Sequence, residues 1–318
     1  MTIDVHGHIT SPRLLERFPM PPSLGDIDGM IEGKLAVGIE LTIVGSPVGA
    51  GTMLPIPGLD NYAQSAAELD AFHEWVAETV RSHPDHLRGY VYVNPLGGPD
   101  GLDRAAKWLS ESEFVGLIVN TSIDGQYLTS SAADDFFAMA ADARVPVLLH
   151  PPAQPVEFGA FQGHLGLIEH VGRPCDITCG VAAILFAGWL AKYPELTLIA
   201  PNAGGALALL AEKLELAQRR PGPPGAETGP PTPQAPIRQS LERIYVDSAT
   251  PSPLALAAAV EVFGPDHLLF GTDSPPLSLS LREALDRIEQ APMTGAQRRA
   301  VLSENAAALF GLSERAAS

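Results

Sequence analysis

The stretch Thr2-Ile3-Asp4-Val5-His6-Gly7-His8 reads as a short strand that ends in two histidines. In an extended strand, side chains two residues apart lie on the same side. His6 and His8 are therefore expected to project together. Two imidazoles aimed at one point make half of a transition-metal site. The plain alternatives are a chance pair of surface histidines or the remnant of an affinity tag. An isolated pair inside a strand pattern does not look like a tag. The other ligands have to come from further along.

Outward from this stretch, strand-like runs alternate with helix-like runs. The strand candidates cover residues 2–6, 41–45, 89–94, 115–120, 145–150, 196–201, 244–247 and 268–271. Most are continuous apolar runs, the pattern of parallel strands covered on both faces. Amphipathic segments lie between them, over 62–82, 102–110, 132–143, 182–193, 207–219, 253–263 and 281–290. Two shorter ones follow at 295–302 and 304–310. Eight such units predict an α/β fold, a (β/α)8 TIM barrel formed as a single domain over residues 1–318. A doubly wound open sheet is the alternative, and counting does not exclude it. Either fold puts its chemistry at the C-terminal ends of the strands.

Two stretches cannot be regular structure. Residues 219–236 form a Pro/Gly-rich segment, expected as a surface loop, with a lid or subunit contact as the functional reading. Residues 45–60 follow the second strand and are expected to wall the site.

The chain has 318 residues, 46% of them hydrophobic, which is ample for a large core. No apolar run reaches the roughly 18 residues a membrane span needs. The N-terminal stretch has no basic region followed by an apolar run and a cleavage site, so no signal peptide is expected. The formal charge is -17, with four lysines. This argues against nucleic acid and anionic membranes as partners. Cys175 and Cys179 are the two cysteines, expected as reduced, buried or half-buried thiols of a cytoplasmic protein.

Which polar side chains end the strands decides the chemistry. Strand one supplies His6 and His8. Strand five ends in His150, followed by two prolines. Strand eight ends in Thr272-Asp273-Ser274-Pro275. His150 alone could be a core histidine, and Asp273 a turn residue. Together, three histidines and an aspartate at strand termini compose a donor set for one divalent metal. The carboxylate can also move protons. Strand four lacks the lysine or carboxylate that a bridged two-metal site needs, so one metal is expected. Strand six ends in Pro201-Asn202-Ala203-Gly204-Gly205, where Asn202 would face the site and hydrogen-bond a substrate oxygen. His73, His83, His86 and His267 are expected in solvated outer positions. His164 and His170 follow strand five on a long segment that could approach the site.

These motifs resemble the amidohydrolase-2 branch of the amidohydrolase superfamily, the branch of α-amino-β-carboxymuconate-ε-semialdehyde and γ-resorcylate decarboxylases. The resemblance runs through Ile3-Asp4-Val5-His6-Gly7-His8, Val147-Leu148-Leu149-His150-Pro151 and Leu190-Ala191-Lys192-Tyr193-Pro194-Glu195-Leu196. It continues through Ile244-Tyr245-Val246-Asp247-Ser248-Ala249, the strand-eight run from Gly264 to Pro275, and Glu304-Asn305-Ala306-Ala307-Ala308-Leu309-Phe310. It implies a distorted (β/α)8 barrel with one divalent ion, usually zinc and sometimes manganese. By position, His6, His8, His150 and Asp273 become the metal ligands, and Asp273 also handles protons. Two departures stand out. The family's His-Gly-Gly after strand six is replaced here by Asn202-Ala203-Gly204-Gly205. The loop after strand two carries no arginine, where the decarboxylases tend to have one that grips a carboxylate.

The first expectation is therefore non-oxidative decarboxylation of a small aromatic or conjugated acid, with Asp273 and Asn202 as catalytic residues. The alternative is a hydrolase of a lactone, ester or amide, or a hydratase, using metal-bound water. A third reading is a non-catalytic barrel that binds a small molecule. The expected partners are a small-molecule substrate and a second copy of the chain in a homodimer.

Overall fold

The computed structural model describes residues 1–18, 20–45, 64–156, 158–161, 164–219, 235–276 and 279–312. The expected site wall over 45–60 and the Pro/Gly-rich segment over 219–236 fall almost wholly outside those residues.

Eight strands form one parallel sheet in chain order. They are β1 (Ile3–Gly7), β2 (Leu41–Val44), β3 (Leu87–Tyr92), β4 (Phe114–Asn120), β5 (Pro146–His150), β6 (Thr197–Ala200), β7 (Tyr245–Asp247) and β8 (Leu268–Leu269). Helices follow them on the outside: α1 (Ile27–Leu35), α2 (Ala66–Ser82), α3 (Gly98–Leu109), α4 (Asp134–Ala143), α5 (Arg173–Phe186), α6 (Leu207–Gln218), α7 (Pro253–Phe263) and α8 (Leu281–Gln290). The last strand returns to the first. Val5 N–H donates to Phe270 O at 2.9 Å, Asp273 N–H donates to His6 O at 2.9 Å, and Gly7 bridges Ser274. The result is a (β/α)8 TIM barrel rather than an open sheet.

Side-chain alternation splits the core into two shells. Val147 and Leu149 of β5 pack outward under the helices, whereas Leu148 joins Ile43, Tyr90, Tyr92, Ile118 and Ile199 inside. Phe310 belongs to the inner cluster too.

Several local features differ from expectation. A two-stranded hairpin, Ser122–Ile123 with Gln126–Tyr127, follows β4. The helix expected over 182–193 begins at Arg173 and stops at Phe186. Gly188, at φ 81°, then turns the chain into a separate turn, Trp189–Lys192. His73 is not solvated. It is 3% exposed on α2, and its Nε2 accepts from Tyr92 N–H at 3.0 Å. The imidazole satisfies that strand amide, while its Nδ1 is buried without a hydrogen-bond partner. Cys175 and Cys179 are exposed rather than buried, because α5 turns that face away from the barrel.

Candidate metal centre at the barrel mouth

β1 does not present its histidines by simple alternation. Its register against β2 shifts between Asp4 and Gly7. This irregularity lets Val5 point into the inner cluster while His6, its neighbour, reaches the site. Asp4 anchors the distortion. Its carboxylate accepts from His6 N–H and Thr272 N–H at 3.0 Å each, and from Thr272 Oγ1 and Lys34 Nζ at 2.6 Å each. Lys34 reaches in from α1 and is itself buried, so the pair joins α1, β1 and the exit of β8.

His6, His8, His150 and Asp273 converge so that one ligand atom from each lies within 4.8 Å of all the others. The three imidazoles stand nearly perpendicular to one another, at 80°, 86° and 88°, with centroids 4.9–5.4 Å apart. The oxygens they face assign their tautomers. His6 Nδ1–H donates to Asp247 Oδ2 at 2.6 Å, His8 Nδ1–H to Gly45 O at 2.8 Å, and His150 Nδ1–H to Pro151 O at 2.7 Å. Each Nε2 is thereby left with a lone pair.

Those lone pairs meet a carboxylate. Asp273 Oδ1 lies 2.8 Å from His8 Nε2 and 3.3 Å from His6 Nε2. His6 Nε2 is buried and makes no hydrogen bond. Electron-pair donors packed this closely call for a positive charge among them. The titration behaviour says the same. Burial opposes a charge on His6, but Asp273 and Asp247 outweigh it and push its pKa up to about 9. Burial opposes the ionised form of Asp273, yet His6, His8 and His150 hold it well below the usual carboxylate range. Burial and the neighbouring imidazoles keep His150 well below its ordinary value. Three imidazoles of fixed tautomer and one carboxylate, each oriented by a second partner, are a donor set that fits a divalent ion.

The centre opens onto a cavity of about 340 Å³ lined by His150, Asn202, Asp273, Arg173 and Ser248, among others. Asn202 reaches it from an unusual turn. Asn202, Ala203, Gly204 and Gly205 all have positive φ, at 53°, 56°, 74° and 62°. Asparagine and glycine tolerate this region. A non-glycine such as Ala203 stays there at a cost of about 1 kcal/mol or more. Asn202 N–H donates to Asp247 Oδ1 at 2.7 Å, and its Nδ2 donates to Ala249 O at 2.7 Å. One carboxylate, Asp247, thus orients both His6 and the turn that carries Asn202.

The Amidohydrolase family model matches residues 3–312. The chain belongs to the amidohydrolase family. A curated relative of this amidohydrolase is the decarboxylase orsB of Emericella nidulans, 26% identical over 206 residues. That match covers 60% of this chain, and the chain spans 57% of that relative's length. Among solved structures it is similar to 5-carboxyvanillate decarboxylase LigW from Sphingomonas paucimobilis. The TM-score is 0.82 and the identity 16%, over 98% of this chain and 99% of that one. It is also similar to a dihydroxybenzoic acid decarboxylase from Polaromonas sp., solved with manganese and 2-nitroresorcinol. There the TM-score is 0.79 and the identity 21%, over 98% and 97% of the two chains. At these identities the structural likenesses show the barrel of the amidohydrolase, and no more.

Three participants carry no signal that marks them in the sequence as parts of a site. Asp247 ends a strand as His150 does, but within a motif that gives it no separate role. Asp4 looked like an ordinary strand residue. Arg173 was not singled out, yet it lines the cavity. Of the two histidines on the segment after strand five, His170 lines the cavity, whereas His164 is exposed and is not among its lining residues.

Proposed function

We propose that this amidohydrolase is a metal-dependent decarboxylase of a small aromatic or conjugated carboxylic acid. His6, His8, His150 and Asp273 hold one divalent ion, and Asp273 also moves the proton. The observation that carries the reading is the centre itself. Three imidazoles have their Nδ1–H groups committed to oxygens, and their Nε2 atoms gather around Asp273 at the cavity mouth. The decarboxylase names of the similar proteins support the reaction class. A histidine-rich set suits zinc, the default here, and manganese is the alternative. The chain works as one barrel domain and as a homodimer.

When bound, the ion supplies Lewis-acid attraction for the substrate's carboxylate and offsets the charge that develops, worth several kcal/mol. The remaining work falls to side chains. Asp273 starts ionised, because its three histidine neighbours outweigh the opposing effect of burial. It therefore first accepts a proton from a ring hydroxyl group of the substrate. It then delivers that proton to the ring carbon bearing the carboxylate. The new C–H bond takes its electron pair from the ring, the bond to the carboxyl carbon then breaks and returns its pair to the ring, and carbon dioxide leaves. Asn202 orients rather than shuttles. One of its amide hydrogens is committed to Ala249 O, which leaves its oxygen to accept from a substrate hydroxyl.

Elemental mass spectrometry of the purified protein is expected to find about one equivalent of a divalent ion. Hydroxybenzoates labelled with carbon-13 at the carboxyl group are expected to release labelled carbon dioxide. Metal-free active protein, or solvent oxygen-18 in the product without carbon dioxide, overturns the reading.

A further inference from the structure

The cavity has an electrostatic problem. An organic acid at neutral pH is an anion, and it must enter beside Asp273, Asp247 and Glu169 in a protein of formal charge -17. Among the described residues that line the cavity, Arg173 carries the only guanidinium or ammonium group. It is 7% exposed and stands at the start of α5. Glu169, one helical turn earlier, accepts from one of its terminal nitrogens at 2.6 Å. The five residues before Arg173, Ile168–Gly172, form a π-helical turn, a distortion frequent at functional sites.

The first turn of α5 is also tied to the Asn202 turn. Thr178 Oγ1 donates to Pro174 O at 2.7 Å and accepts from Ala206 N–H at 2.8 Å. A Cβ on Gly205 would stand only 2.5 Å from both Pro174 O and Thr178 Oγ1. The arginine and the asparagine therefore sit on one rigid unit facing the metal centre.

We infer that Arg173 is the specificity-determining residue that recognises an aryl oxyanion of the substrate. This rests on the decarboxylase reading for the substrate class, and it names the residue that selects within it. A guanidinium suits a planar oxyanion, because its parallel N–H groups match the two oxygens of a carboxylate or the adjacent oxygens of a hydroxybenzoate. Lysine offers charge without that geometry.

The test measures binding and turnover separately. Calorimetry on the purified protein is run with 2,6-dihydroxybenzoate, benzoate and resorcinol, which distinguish a carboxylate from a phenolic oxygen as the recognised group. Arg173→Gln is expected to weaken 2,6-dihydroxybenzoate binding by about a hundredfold and to leave resorcinol nearly unchanged if the carboxylate is the target. Loss of resorcinol binding instead assigns the phenolic oxygen. Arg173→Lys, a check that the fold survives, is expected to recover part of the loss. In turnover, the Gln variant is expected to raise KM far more than it lowers kcat. Binding of all three probes by Arg173→Gln as tightly as by the unaltered protein overturns the inference, as does failure of the unaltered protein to bind any of them. The two readings fail separately. Arg173-dependent binding without carbon dioxide release sinks the reaction and keeps the recognition role. Carbon dioxide release that ignores Arg173 does the reverse.

Discussion

Asp273 is asked to be both ligand and proton carrier, and these roles part company in Asp273→Asn. The amide keeps the size and loses the charge and the proton. Turnover is expected to fall at least about a thousandfold, with the thermal transition little changed. Retained activity would remove Asp273 from the chemistry. Asp247→Asn tests orientation instead. It can no longer accept strongly from His6 Nδ1, and metal affinity is expected to drop by about 10- to 100-fold. Competition with a chelator of known affinity reads this directly. Unaltered affinity would mean that His6 needs no second partner. At this scale much was legible in the sequence. His6, His8, His150 and Asp273 stand out because a polar residue after an apolar run is conspicuous. Asp247 ends its strand in the same way. It went unread because its partner is a ligand 241 positions away, and not the ion itself. Arg173 gives no local signal at all, since its importance comes from where α5 begins.

The elements carry their own tests. Lys34 and Asp4 form a buried pair between α1 and β1. Lys34→Met leaves a buried carboxylate uncompensated and is expected to cost about 3–5 kcal/mol, read from the urea midpoint. A loss under 1 kcal/mol would show that Asp4 is satisfied by Thr272 and the backbone alone. On α2, burial pushes His73 down to about 4 from an ordinary 6.5. Between those values the unfolded chain binds the proton and the folded chain does not. Stability is therefore complete above pH 6.5 and declines as the pH falls toward 4, by about 3 kcal/mol in all. His73→Gln can keep an acceptor for Tyr92 N–H and is expected to flatten that part of the profile in urea titrations. An unchanged slope would assign the pH dependence elsewhere. The strands were legible because parallel strands read as apolar runs, and all eight strand candidates came within about two residues at both ends. The register shift in β1 was not legible. Nothing in Asp4-Val5-His6 announces it, because it is set by tertiary bonds from Thr272 and Lys34. The left-handed run at Asn202 was visible only as a pair of glycines. Ala203 argues against such a turn by propensity, and tertiary packing overrides it.

For the whole molecule, the formal charge of -17 is spread over a barrel whose functional mouth is itself rich in carboxylates. Self-repulsion destabilises the compact state, and salt screens it. The melting temperature is therefore expected to rise between about 0.01 M and 0.15 M sodium chloride, where the Debye length falls from about 30 Å to 8 Å. A melting temperature that falls with salt would indicate that ion pairs such as Arg104 with Asp70 outweigh the net charge. Closure of the barrel was predictable in kind, because eight strand–helix units suffice for it. Its means were not, since the seam depends on hydrogen bonds between the two extremes of the chain.

That seam also sets a timetable. His8 and Asp273 are 265 positions apart, yet they meet at 2.8 Å. At ordinary synthesis speeds of about 5–20 residues per second, the nascent chain exposes its first two ligands on the order of 10–50 s before the fourth exists. The complete set of four donors therefore does not exist until Asp273 has been made. Four-donor capture of an ion has to wait for that late segment and competes with every chelator in its surroundings at that moment. The metal a cell installs is then decided by what is free when the last strand docks.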